Sequence, residues 1–68
     1  MTYKEFKVDV FKEIEKMPPK WRKGQKVFNY INYKYPNIAE DVRFKHHVDC
    51  FYRDDLIDEF MEIAYKLL

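Results

Sequence analysis

Apolar side chains return every three or four positions over the first seventeen residues, at Tyr3, Phe6, Val10, Phe11, Ile14 and Met17, with charged residues between them. That spacing predicts a helix from about residue 3 to 17 with one apolar stripe. Thr2-Tyr-Lys-Glu5 marks its start as a capping box, in which the threonine hydroxyl takes a backbone N–H and the glutamate reaches back to the cap. Pro18-Pro19 marks its end, because the residue before a proline is pushed out of the helical region. A second helix is predicted from residue 19 or 20 to 34, with proline tolerated in its first turn. At about 100° per residue, Trp21, Gly24, Phe28, Ile31 and Tyr35 share its apolar arc, while Lys23, Lys26, Tyr30, Tyr33 and Lys34 lie opposite, with Arg22 at the margin. Gly24, the only glycine, thus points inward, where a missing side chain lets another helix, the first by preference, come close.

Pro36 breaks the second helix, and residues 37 to 43 predict a short third one. The stretch FKHHVDCFY, residues 44 to 52, has no helical stripe and reads as a loop, in which Val48, Phe51 and Tyr52 favour a short extended piece. Asp54 and Asp55 then open a last helix, their carboxylates complementing its positive end. Its apolar arc is Leu56, Ile57, Phe60, Ile63, Ala64 and Leu67; Asp55, Asp58, Glu59 and Glu62 face outward, with Glu62 placed to pair with Lys66. The expected fold is an all-α bundle of three main helices and one short one in a single domain, 1–68, with an aromatic loop before the last helix.

At 68 residues the core is small, so each core position matters, and 47% hydrophobic with 37% charged residues excludes a disordered chain. The single cysteine, Cys50, forbids an intramolecular disulfide and suits a reducing compartment. No apolar run approaches the roughly 18 to 20 residues a membrane span needs, and MTYKEFKVDV lacks the apolar centre of a signal peptide. A cytoplasmic protein is the expectation. The net charge of +1 conceals a division: residues 1 to 36 carry nine Lys/Arg and four Asp/Glu, whereas residues 37 to 68 carry four and eight. The chain is electrically two-ended.

Several groups of residues invite a chemical reading. His46, His47, Asp49 and Cys50 are metal-ligand types, but zinc sites pair ligands at wider spacings and no second cluster completes four ligands, so a polar loop is the better reading and no metal or cofactor is expected. Cys50 beside a histidine suggests a nucleophile and base; no third orienting group accompanies them, and lone cysteines are usually buried. Asp54, Asp55, Asp58 and Glu62 suggest a cation site, yet no calcium-loop or phosphate-loop pattern goes with them. No catalytic residue is assigned and an enzyme is not expected.

Residues 17 to 36 contain no acid, and there Lys20, Arg22, Lys23, Lys26 and Lys34 interleave with Tyr30 and Tyr33. Cations with aromatic faces suit nucleic acid, but the near-neutral chain and its acidic end do not. Thirteen aromatic residues exceed what so small a bundle readily hides, and tyrosine is enriched at protein interfaces. In DCFYRDD, Asp49 is expected to cap or brace the loop, Phe51 to plug the bundle and Tyr52 to bond a neighbouring backbone, which together favour a structural latch before the last helix over a ligand-recognition loop.

Arg22-x-Gly24-Gln25, Phe28-Asn29, Pro36-x-x-Ala39-x-x-x-Arg43 and Asp49-x-Phe51-Tyr52-x-Asp54, followed by Ile57 and Phe60, resemble a pattern in small uncharacterised proteins of bacteriophages, prophages and bacterial genomes. The match departs after Arg43, where Phe44-Lys-His-His replaces a shorter polar turn. The resemblance implies a shared fold and a bacterial or phage setting, without an activity. The functional expectation is a non-enzymatic binding protein whose basic, Tyr-bearing second helix engages an acidic protein partner or another copy of itself, with a nucleic-acid-binding module as the alternative. The structural set expected to present that helix is Trp21, Gly24, Phe28, Asp49, Phe51, Tyr52 and Asp54.

Overall fold

The capping box at the start of the chain forms as its sequence dictates. Thr2 Oγ1 accepts the Glu5 N–H at 3.2 Å and Glu5 Oε1 accepts the Thr2 N–H at 3.0 Å. From this start, the computed structural model, which describes residues 1–68, runs through α1 (Tyr3–Ile14), α2 (Lys23–Lys34), α3 (Pro36–Phe44), a short 3-10 turn (Asp54–Leu56) and α4 (Ile57–Lys66). No strand is present; the molecule is an all-α bundle around one core.

Helix α2 packs against α1 and α3, and α4 packs against the same two, so α2 and α4 lie diagonally across the bundle. Their side chains meet in the middle, where the Phe28 and Phe60 rings are 5.6 Å apart. Val10, Val27, Ile31, Val42, Phe60 and Met61 are fully buried around this contact. Tyr3, Phe6 and Tyr65 close the α1–α4 edge, and the Tyr65 hydroxyl donates to the Met1 carbonyl at 2.6 Å.

Three boundaries differ from the sequence expectation. Helix α1 ends at Ile14, and residues 15 to 17 continue as tighter turns, with Lys16 N–H donating to Glu13 and Met17 N–H to Ile14. Helix α2 starts only at Lys23, because residues 18 to 21 are taken by a separate turn closed by Trp21 N–H on the Pro18 carbonyl at 3.1 Å. Trp21 is therefore outside α2 and half-buried, not a member of its buried arc. Pro36 breaks α2 as expected, yet it also becomes the first residue of α3, a position where its missing N–H costs nothing.

After α3 the chain reverses through His47, whose φ of 59° lies in the left-handed region that few residues other than glycine enter. The Val48 N–H returns to the Val42 carbonyl at 3.2 Å, and this reversal turns Val48 and Cys50 into the core. The extended piece considered for Val48, Phe51 and Tyr52 does not form a strand.

Asp54 and Asp55 open the 3-10 turn before α4 and leave the first turn of α4 itself to Asp58 and Glu59. Asp55 pairs with Arg53, which donates from Nη2 at 2.6 Å and from Nε at 3.2 Å and holds the Asp55 carboxyl below its usual range. Glu62 and Lys66 do not come within 4.0 Å, so the pair expected between them is absent. No helix is long and apolar enough to cross a membrane.

Candidate functional site

Two features of α2 stand out when its residues are placed in space: how its start is tied down and what its outer face presents. Helix α2 begins with a local deficit. Its cap residue, Arg22, has no acceptor in its side chain, and its first turn contains no acid to meet the free N–H groups. The carboxylate is supplied from thirty residues away, where Asp54 Oδ1 accepts the Gly24 N–H at 2.8 Å. Asp54 thus serves α2, a correction to its expected role as a cap of the last helix.

Gly24 is the point on which this junction closes. A Cβ built there would lie 2.0 Å from the Cys50 carbonyl oxygen and 2.9 Å from Asp54 Oδ1. The element that comes close is the loop before α4, not the first helix that the sequence favoured. The contact is made from both sides, since the Cys50 thiol donates to the Gly24 carbonyl at 3.3 Å. Arg22 Nη1 adds a bond to the Tyr52 carbonyl at 2.8 Å.

Asp49 braces the same loop twice. Its Oδ1 accepts the Phe51 N–H at 2.9 Å, and its Oδ2 meets Arg43 Nε at 2.9 Å. Arg43 in turn lies 5.0 Å from the Phe28 ring centre and 5.7 Å from that of Phe44. Phe51 stands edge-on to Phe28 at 5.8 Å and to Tyr52 at 4.7 Å. Phe51 is half-buried, so it covers Phe28 from outside and does not plug the bundle. Tyr52 takes part through its carbonyl, with its ring exposed. The contacts at this junction thus involve Asp49, Phe51, Tyr52 and Asp54 together with Arg22, Arg43 and Cys50.

Cys50 has no exposed surface. Burial, with the Asp49 and Asp54 carboxylates behind it, pushes its thiol up to about 12. A thiol held neutral inside the core is a poor nucleophile. His46 and His47 are exposed, and no three residues of the metal-binding types converge on one point.

The outer face of α2 is different in kind. Lys23 lies with its ammonium 4.8 Å from the Phe11 ring centre, and it joins Lys26, Phe11, Ile14 and Glu15 around a hollow of 360 Å³ between α1 and α2. Farther along, Lys34 Nζ donates to the Tyr30 hydroxyl at 3.3 Å, a bond that holds the ammonium in its charged form and raises its pKa. Tyr33 is 86% exposed and is the most open large apolar side chain of the molecule. The face expected from the helical count thus brings together Lys23, Lys26, Tyr30, Tyr33 and Lys34, while Arg22 is turned to the latch.

The ion pairs sharpen this picture. The cations that meet a carboxylate within 4.0 Å are Lys16, Arg43, Lys45 and Arg53, none of them on α2. Compared with known proteins, the chain matches no family model, no curated protein and no solved structure. Its chemistry is read from this geometry alone. Sequence reasoning missed Arg43 as a brace and Phe44 as an exposed ring; the spacing of Arg43 to Asp49 carries no local signal, because only the His47 reversal brings them together.

Proposed function

We propose that this protein is a non-enzymatic binding module whose α2 face engages an acidic protein surface. The observation that carries the reading is that Lys23, Lys26 and Lys34 meet no carboxylate of their own chain within 4.0 Å, whereas Arg43, Lys45 and Arg53, the cations of α3 and the loop after it, each meet one. Unpaired cations lose little on docking and offer long-range attraction to an acidic partner. Tyr33 adds an apolar ring in the middle of that charge, a residue type suited to interface contact. The resemblance in sequence to phage and bacterial proteins makes an accessory protein acting in a bacterial cytoplasm the setting of this reading.

The exposed Tyr33 ring among lysines also favours a second reading, a small nucleic-acid-binding module, because a base stacks on such a ring while lysines meet phosphates. The two separate experimentally. Immobilised protein, compared with a Lys23/Lys26/Lys34→Ala variant, is expected to retain acidic proteins from a bacterial lysate that the variant releases. Equal retention by both refutes the α2 reading. Binding to single-stranded DNA at about 50 mM salt, weakening steeply as salt rises, favours the second reading instead.

A further inference from the structure

An acidic surface complementary in charge to the α2 face is carried by the same chain. On α4, Asp58, Glu59 and Glu62 are exposed, and no cation comes within 4.0 Å of any of them. Only Lys66, in the last turn, interrupts that face. Asp58 and Glu62 also act on their surroundings: after burial itself, they are what raises the pKa of the Tyr3 hydroxyl. They remain uncompensated acids within the folded chain.

The direction of the two faces follows from the core. Phe28 of α2 and Phe60 of α4 point toward each other across the bundle. At about 100° per residue, Lys23, Lys26, Tyr30 and Lys34 lie on the side of α2 opposite Phe28, and Asp58 and Glu62 lie on the side of α4 opposite Phe60. The basic and acidic faces therefore look outward in opposite directions along one diagonal. They cannot meet within one molecule. Nor can two copies satisfy both faces through a single two-fold contact while each face is separate; the contact is heterologous, and it repeats.

We infer that copies of this chain associate head to tail, the α4 acidic face of one docking on the α2 Lys/Tyr face of the next. This rests on the reading of the α2 face as a docking surface. The association is weak and salt-sensitive, since its charges are exposed. Growth proceeds because every added copy presents a fresh face of each kind, into a ring where the rotation per step closes and into a filament where it does not.

Sedimentation equilibrium of the wild-type chain at about 20 mM salt, with protein up to about 1 mM, reads the mass directly. The expected result is a mass that rises continuously above the 8.5 kDa of one chain and returns to it at about 0.5 M salt. Two surface variants then resolve the geometry: Lys23/Lys26/Lys34→Ala removes one face, and Asp58→Asn/Glu59→Gln/Glu62→Gln removes the other. Each alone is expected to be monomeric, and an equimolar mixture is expected to stop at a 1:1 pair, because one good face remains on each. A wild type that stays at 8.5 kDa, or variants that still self-associate singly, overturns the inference. Adding polyglutamate to the wild type and following its amide resonances separates the two failures. If the chain stays monomeric while α2 resonances shift, the head-to-tail contact is wrong and the docking face stands; if neither occurs, both fall.

Discussion

Gly24 shows how much one missing methyl group can decide. At an exposed helical position, replacing glycine by alanine stabilises by about 1 kcal/mol through helix propensity. Here the added Cβ would meet the Cys50 carbonyl oxygen at 2.0 Å, a backbone atom that cannot swing aside as a side chain does. Gly24→Ala is therefore expected to destabilise by about 2 to 3 kcal/mol in urea unfolding; a stabilised variant would show that the loop does not close on α2. Cys50 supplies a second test at this scale. Its pKa is raised from an ordinary 9.0 to about 12, so the unfolded chain loses the thiol proton before the folded one does. That contribution is fully present below about pH 9 and declines as the pH rises toward 12. Melting temperature followed from pH 8 to about 10 should fall more steeply for the wild type than for Cys50→Ala, because the variant lacks this one titration. Parallel slopes would place the thiol in solvent.

At the scale of elements, the helices owe their starts to different kinds of information. Helix α1 is capped by residues that touch it in sequence, and Thr2 and Glu5 announce that cap to any reader of the chain. Helix α2 is capped by Asp54, thirty residues away, so nothing near residues 20 to 23 announces it. The expected early start of α2 failed for this reason: local propensity allowed residues 19 to 22 to be helical, and the turn at Pro18 together with the distant cap moved the boundary to Lys23. Asp54→Ala should cost about 1 to 2 kcal/mol, as loss of a capping acceptor does. Asp54→Asn keeps an acceptor oxygen and should retain most of that stability. An Ala variant as stable as the Asn variant would show that the Gly24 N–H finds another partner.

Across the whole molecule, packing converts a division of charge along the chain into a division in space. The excess of cations in residues 1 to 36 and of acids in residues 37 to 68 is plain from composition. Composition does not say whether the two sets meet. The diagonal placement of α2 and α4, with Phe28 against Phe60 between them, keeps their outer faces apart. The nearest neighbours of α2 are α1, with charges of both signs, and α3, whose Arg43 and Asp41 are already paired. The α2 lysines form no ion pair within 4.0 Å, although Asp9 of α1 favours the charged form of Lys34 and Glu15 shares the hollow with Lys23 and Lys26, and the proposed docking face and head-to-tail contact both rest on that arrangement.

The apolar periodicity determined the all-α class of fold, the existence of four helical segments and the outward direction of Lys23, Lys26 and Lys34 but not of Arg22, because a side chain's direction on a helix depends only on its position along it and Arg22 lies before the helix. The capping box and the proline breaks were equally local. Tertiary structure alone decided which element closes on Gly24, that Asp54 caps α2, that Trp21 lies outside the buried arc, and that Arg43 braces Asp49. Apart from Trp21, which the local turn on Pro18 holds outside the helix, each of these is a contact between residues distant in sequence, made possible by the reversal at His47, and such contacts follow from how the chain packs and not from any spacing along it.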